Sequence, residues 1–287
     1  MLIQATPPAI QDAAQALRRG ELVAFPTETV YGLGADACNG MAVAKIYALK
    51  NRPLHNPLII HVASVEDAEK IGQFDSRAQT LASSLWPGPL TLIVPKRNGN
   101  GIAANATAGL DTVALRIPAH PVAAALIQSA GTPLAAPSAN PSGTLSPTRP
   151  EHVARHLAAQ GLIVLSGGAT TIGLESTVLD LTTHPARILR PGAIGLDELE
   201  PLIGPVQMAD GTEAIKAPGQ LKRHYATRTP LRLNAVDVKH GEAFLGFGNV
   251  GFIGVESVGF VRDMDHHLWR NLSPEGDLHA AATHLYA

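Results

Sequence analysis

The chain reads as an α/β fold, a twisted mixed sheet with flanking helices. Three observations predict this. Helical and strand patterns alternate through roughly the first 190 residues. Several successive strands have no helix between them, so the sheet is mixed rather than purely parallel. Apolar residues fill 45% of 287 positions and charged residues 16%, a balance that favours a buried core over disorder.

The elements follow in order. A helix is expected over 9–19, with Pro8 near its start and Gly20 as a stop. The apolar run Leu22-Val23-Ala24-Phe25 marks a strand over 21–25. Residues 41–50 read as a helix with Ala, Ile and Leu on one side, and 58–62 as a strand. Ser64-Val65-Glu66-Asp67 has the form of a capping box opening a helix to Ile71. A helix over 77–86 ends at Pro87-Gly88-Pro89. Strands are expected at 90–94 and 112–117, a helix at 122–130, a short strand at 134–136 and a helix from Pro150 to Ala159. Strands at 162–165, 177–181 and 187–189 complete the sheet.

Residues 1–196 thus form one domain. Residues 197–230 have weak periodicity and carry Pro201, Pro205, Gly211, Pro218, Gly219 and Pro230; they read as a long linker, and loops of that length are usually functional or disordered. Residues 231–287 hold strand-like pieces at 243–247 and 258–261 and a helix-like end from Asp277, a small α/β C-terminal domain that reads as truncated at Ala287.

The net charge of −2 argues against general adhesion to nucleic acid, so any anion site must be a local gathering of Lys and Arg. Cys38 is the only cysteine; it can form no internal disulfide and no cysteine-based zinc site, which suits a reducing cytoplasm. The first residues lack a signal-peptide pattern and no apolar run reaches bilayer length, so a cytoplasmic protein without a membrane is expected.

The most informative stretch is Pro26-Thr27-Glu28-Thr29-Val30-Tyr31-Gly32-Leu33-Gly34, a polar turn after the first predicted strand. A second is Lys50-Asn51-Arg52-Pro53-Leu54-His55-Asn56-Pro57. Pro53 biases Arg52 toward extended backbone, and side chains two apart in such a chain point the same way. Lys50 and Arg52 could then face one polyphosphate, or simply form a solvated loop after a helix. Alternation puts His61 and Ile59 on one strand face, where a histidine is either a ligand or a satisfied structural residue. Thr112, Ala114 and Arg116 share a face, and an arginine so placed needs an internal carboxylate or an anionic ligand. Ala136-Pro137-Ser138-Ala139-Asn140 breaks from a strand into small and hydroxylated residues, and Ser146 continues that stretch. Ser176 begins one strand and Arg190 ends another. No phosphate-binding P-loop, His-Glu-x-x-His or Gly-x-Ser-x-Gly motif occurs. The residues alone define an α/β protein with a cationic, hydroxyl-lined cavity.

The ordered motifs resemble the L-threonylcarbamoyladenylate synthases, the YrdC-like family. They are residues 26–34, Lys-x-Arg-Pro at 50–53, Asn-Pro-Leu at 56–58, Trp-Pro-Gly-Pro-Leu-Thr at 86–91, Val-Ala-Leu-Arg-Ile-Pro at 113–118, Ala-Pro-Ser-Ala-Asn at 136–140 and Glu-Ser-Thr-Val at 175–178. Residues 217–226, with Lys222-Arg223-His224-Tyr225, resemble the linker of the longer two-domain form. The resemblance implies synthesis of threonylcarbamoyl-AMP from L-threonine, bicarbonate and ATP with release of pyrophosphate. The product serves N6-threonylcarbamoyladenosine formation at position 37 of tRNAs that read ANN codons. By motif match, Thr29, His61, Arg116, Ser176 and the Ala136 backbone surround L-threonine. Arg52, Asn56, Thr112, Ser138, Ser146 and Arg190 contact ATP, with Lys50 beside the phosphates, and Tyr225 closes over the nucleotide from the linker. Lys50, Arg52 and Mg²⁺ carried with ATP neutralise the phosphates, and no protein metal site is expected. Handover of the product to a tRNA threonylcarbamoyltransferase complex is implied, with weak or indirect tRNA binding.

Two rival readings remain at this point. A carbamoyl transferase of the hydrogenase-maturation kind needs cysteine-rich zinc fingers, which one cysteine cannot supply. A double-stranded RNA module is disfavoured by the near-neutral charge and the 4% aromatic content.

Overall fold

The computed structural model describes residues 1–157, 161–211, 215–220, 229–235, 238, 242–249 and 269–287. In chain order these form β1 (Leu2–Gln4), α1 (Pro7–Arg18), β2 (Val23–Phe25), β3 (Gly32–Asp36), α2 (Gly40–Lys50), β4 (Ile59–His61), α3 (Val65–Ile71) and α4 (Ser76–Leu85). Then come β5 (Leu90–Pro95), a 3₁₀ turn (Ala104–Thr107), β6 (Thr112–Arg116), α5 (Pro121–Ala130), β7 (Leu134–Ala135) and α6 (Pro150–Leu157). The remainder is β8 (Ile163–Ser166), β9 (Thr177–Asp180), β10 (Ala186–Arg190), α7 (Leu196–Ile203), β11 (Val206–Met208), β12 (Phe244–Gly246), β13 (Trp269–Asn271) and α8 (Leu278–Leu285).

The helices begin where short polar side chains can cap them. Thr6 accepts from Ala9 N, Asn39 from Met41 N and Ala42 N, Ser64 from Asp67 N and Asp75 from Ala78 N. Each satisfies amide groups that the first helical turn leaves without partners. Asn51 ends α2 in the left-handed conformation with φ 50°.

Eleven strands of the described residues form one sheet in the order β1-β8-β2-β3-β7-β4-β6-β5-β9-β10-β11. Pairing is parallel for β4 with β6 and for β5 with β9, and antiparallel for β2 with β3 and for β9 with β10. The sheet is therefore mixed. One apolar cluster, with Tyr31, Ile46, Ile60, Leu92 and Leu115, lies against α2, α3 and α4. A second, with Leu17, Phe25, Leu126 and Leu165, joins α1 and α5 to another part of the sheet. No helix of the described residues is long and apolar enough to cross a membrane.

Two expectations change, and one strand was not anticipated. Gly32–Asp36 is strand β3, paired with β2, where a polar turn was expected to run to Gly34. Residues 197–208 are not linker: α7 and β11 occupy most of them, and β11 extends the sheet by pairing parallel with β10. Neighbouring Gly204 and Pro205 hide the periodicity there. Leu2–Gln4 is a strand held beside β8. The expected strand at 258–261 lies outside the described residues.

Candidate active site

The cavity opens where β4, β6, β9 and β10 meet the turn after β2. Its walls include Thr29, Arg52, His61, Arg116, Ser176 and Arg190, together with Ala136, Ser138 and Glu175. The turn itself is built by Thr27. Its Oγ1 accepts from Thr29 N and Val30 N at 3.2 Å each and donates to Val30 O at 2.6 Å. Such a hydroxyl-stapled turn fixes Thr29 Oγ1, which sits 2.8 Å from Thr27 Oγ1.

Parallel pairing of β4 with β6 sets His61 opposite Arg116. Arg116 is 4% exposed. Its Nη2 donates to Glu28 Oε1 at 2.6 Å and to Thr29 Oγ1 at 3.0 Å, and its Nε to Gly88 O at 3.1 Å. Of the two alternatives for this arginine, the internal carboxylate is present as Glu28, and the arginine also lines the cavity. His61 packs edge-on against Phe25 with ring centroids 6.4 Å apart. Its Nδ1 is buried without a partner among the described residues. Burial, reinforced by the Arg116 charge, pushes its pKa down to about 3, so the ring is neutral.

Arg52 is held from behind. Its Nε donates to Asn56 O at 3.1 Å and its Nη2 to Pro57 O at 2.8 Å. Burial lowers its pKa to about 10, with Arg190 adding like-charge repulsion. Arg190 donates to Ser176 O from Nε and Nη2, at 3.1 and 2.8 Å, and to Ser176 Oγ at 3.0 Å. The approach of the two segments depends on Gly192, where an added Cβ would fall 2.4 Å from Thr177 N. Ser176 Oγ also meets Thr91 Oγ1 at 2.7 Å.

Other expected residues stand elsewhere. Lys50 does not share an extended face with Arg52, because it ends α2 and Asn51 then turns left-handed. Its ammonium is buried behind the cavity and donates to Ser138 O at 2.6 Å and to Asn140 O. Burial and the neighbouring Arg52 hold its pKa well below the usual lysine range. Asn56 is buried behind Arg52 rather than on the wall. Ser146 is likewise buried and bonds the Glu175 carboxylate. Thr112 begins β6 and is not on the cavity wall; it lies four residue steps, about 13 Å, from Arg116 along the strand. The Ala136 backbone does line the cavity, but its N–H is engaged with Ile59 O at 3.0 Å. Tyr225 lies outside the described residues.

Residue reasoning did not single out Thr27, Glu28, Glu175 or Pro218, all at or beside the cavity. Glu28 was the most accessible of these, since a buried Arg116 demands a carboxylate. No group of three or more His, Cys, Asp or Glu side chains among the described residues could hold a metal.

Fold and cavity together define an α/β protein with a guanidinium-lined cleft at the strand ends of a mixed sheet. Residues 15–192 match the Sua5, YciO and YrdC family, described as Telomere recombination, and the chain belongs to that family. Residues 194–287 match the domain described as Threonylcarbamoyl-AMP synthase, C-terminal domain.

Two relatives are named Threonylcarbamoyl-AMP synthase. The one from Bacillus subtilis is 48% identical over 231 residues, covering 79% of this chain and 66% of the relative. The one from Pyrococcus abyssi is 48% identical over 223 residues, covering 76% and 65%. The chain therefore spans just under two thirds of these relatives' lengths. The crystal structure of P. abyssi Sua5 complexed with L-threonine aligns with a TM-score of 0.83 at 36% identity, covering 100% of this chain and 87% of that one.

Proposed function

We propose that this chain makes L-threonylcarbamoyl-AMP from L-threonine, bicarbonate and ATP, releasing pyrophosphate. This is the first step toward N6-threonylcarbamoyladenosine at position 37 of ANN-decoding tRNAs. The observation that carries the reading is the convergence of Arg52, Arg116 and Arg190 on one cavity that also presents Thr29 and Ser176. The names of the relatives and the threonine complex of the P. abyssi protein support the choice of substrate.

The threonine amine, once deprotonated, forms its new N–C bond either with bicarbonate, with loss of water, or with carbon dioxide, with loss of the N–H proton, and gives a carbamate. A carbamate oxygen attacks the α-phosphorus in line, its bond to phosphorus forms as the bond to the bridging oxygen breaks, and pyrophosphate leaves. Such a displacement needs alignment and charge neutralisation rather than a protein nucleophile. Arg116, already oriented by Glu28, takes the threonine carboxylate through its remaining face. Thr29, Ser176 and neutral His61 surround the amino acid and favour a hydroxylated side chain, because an unpaired polar group there costs about 1–3 kcal/mol.

Arg52 and Arg190 face the phosphates, and an anion between them relieves their mutual repulsion. Ser138 lies on the nucleotide side, supported by Lys50 through its carbonyl. Tyr225 is assigned to the nucleotide by motif resemblance. Magnesium enters as part of Mg·ATP: Glu175 is the one carboxylate on the described cavity wall and it is engaged by Ser146, so the residues do not fit a resident metal. A cytoplasmic transferase that uses the adenylate completes the reading.

The test is pyrophosphate release by the purified protein given L-threonine, bicarbonate and Mg·ATP. Release that stops when threonine is omitted supports the reading. Release that does not depend on threonine overturns it.

A further inference from the structure

The segment 216–220 runs along β9 toward the cavity, attached at successive points. Lys216 Nζ donates to Asp180 Oδ2 and to Thr182 Oγ1, each at 2.8 Å. Asp180 is 3% exposed, so this ion pair ends on a buried carboxylate. The next residue, Ala217, is fully buried in a small apolar cluster with Ile59, Ala114, Val178 and Leu189. Pro218 forms part of the cavity wall. Gly219 then lies flat on the stem of Arg190: with φ +100°, an added Cβ would fall 2.6 Å from Arg190 Cδ. Gln220 closes the segment on itself, its Oε1 accepting from Lys216 N at 2.8 Å and Ala217 N at 3.0 Å.

The spacing of these attachments matches the strands beneath. Asp180 and Val178 are two residues apart on β9, about 7 Å, and Val178 is the register partner of Arg190 on β10. The clasp at Lys216 therefore decides which residue of the segment meets Arg190. A slip of one position would bring Pro218 or Gln220, each with a side chain, onto the arginine stem. The stem contact acts on the same arginine whose guanidinium is held by Ser176 at the far end.

We propose that Lys216 and Gly219 are positioning residues for Arg190. The Lys216–Asp180 pair sets the register of the segment, and Gly219, having no side chain, leaves room for the Arg190 stem so that its guanidinium keeps its bonds to Ser176 and faces the anion site. The functional consequence rests on the reading above, in which Arg190 meets the nucleotide.

The experiment compares the unmodified protein with Lys216→Met, Lys216→Arg and Gly219→Ala. The first measurement is the nitrogen-15 NMR signal of Arg190 Nε–H, which the bond to Ser176 O shields from solvent exchange. It is expected to be retained in the unmodified protein and in Lys216→Arg, and lost in the other two. The second is calorimetric binding of ATP, and separately of L-threonine. Lys216→Met is expected to weaken ATP binding roughly tenfold and leave threonine binding within about twofold, with Lys216→Arg restoring it. An Arg190 signal unchanged in Lys216→Met and Gly219→Ala overturns the proposal whether or not ATP binds. Equal losses for ATP and threonine overturn it too, because they report general loosening. Failure of the unmodified protein to bind ATP counts instead against the functional reading, and the NMR comparison still decides the positioning role.

Discussion

Glu28 Oε1 accepts from Arg116 Nη2 at 2.6 Å inside the cavity wall, and neither side chain is more than 9% exposed. The other oxygen, Oε2, accepts from Ala119 N at 3.1 Å, so the carboxylate is fixed at both ends. The ion pair cancels one cationic charge of the cavity while orienting the guanidinium that carries it. A buried pair of this kind contributes less to net stability than to geometry, because desolvation offsets much of the attraction.

Removing one partner alone is therefore expected to be costly. Glu28→Ala leaves Arg116 buried without its carboxylate and should lower unfolding free energy by about 3–5 kcal/mol, read by urea denaturation. Arg116→Ala should in addition raise the KM for threonine well above any change in the KM for ATP. Equal effects on both substrates would argue against Arg116 as the carboxylate site.

Arg52→Lys should behave nearly like Arg52→Ala in ATP use. The guanidinium reaches Asn56 O and Pro57 O with two nitrogens while still presenting a face to the cavity. A lysine ammonium cannot do all of this from one atom. Steady-state kinetics at varied ATP separates the outcomes, and a Lys variant close to the unmodified enzyme would sink the argument.

Lys50→Met removes the donor shared by Ser138 O and Asn140 O. The expected cost is about 1–3 kcal/mol. Ala139 N and Ser142 N, bonded to Tyr31 O and Lys50 O, belong to the same loop and should exchange their amide hydrogens faster. ATP kinetics should suffer more than threonine kinetics.

His61 links stability to pH. Its folded pKa of about 3 lies below its ordinary value, so between pH 3 and 6.5 the unfolded chain binds more protons than the folded one. This contribution makes stability rise with pH through that window and fall on acidification. Between pH 7 and pH 5 the loss should be about 2 kcal/mol, at 1.36 kcal/mol per unit. His61→Gln should flatten that part of the profile, measured by urea unfolding at several pH values.

Much of the fold was legible because its signals are short. Ser64 caps its helix within three residues of itself, so its start shows in the local sequence, and the helices capped by Thr6, Asn39 and Asp75 were placed to within two residues by their own patterns. The strands around His61 and Arg116 showed in their apolar neighbours. Strand β3 did not, since Gly32 and Gly34 carry no strand preference and the pairing with β2 supplies what they lack. Helix α7 and strand β11 were hidden by Pro201, Gly204 and Pro205; burial of Leu199 and pairing with β10 override those residues.

The sequence by itself determined the alternation of elements, the ordered motifs and the candidate arginines, because each is carried by a few neighbouring residues with their own conformational preferences. Tertiary structure alone decided that Arg116 faces Glu28 from 88 residues away, that Lys50 turns behind the cavity while Arg52 lines it, and that Gly219 rests on Arg190. Strand order and register bring such groups together, and these depend on burying the whole apolar surface at once, a property no short stretch of chain contains.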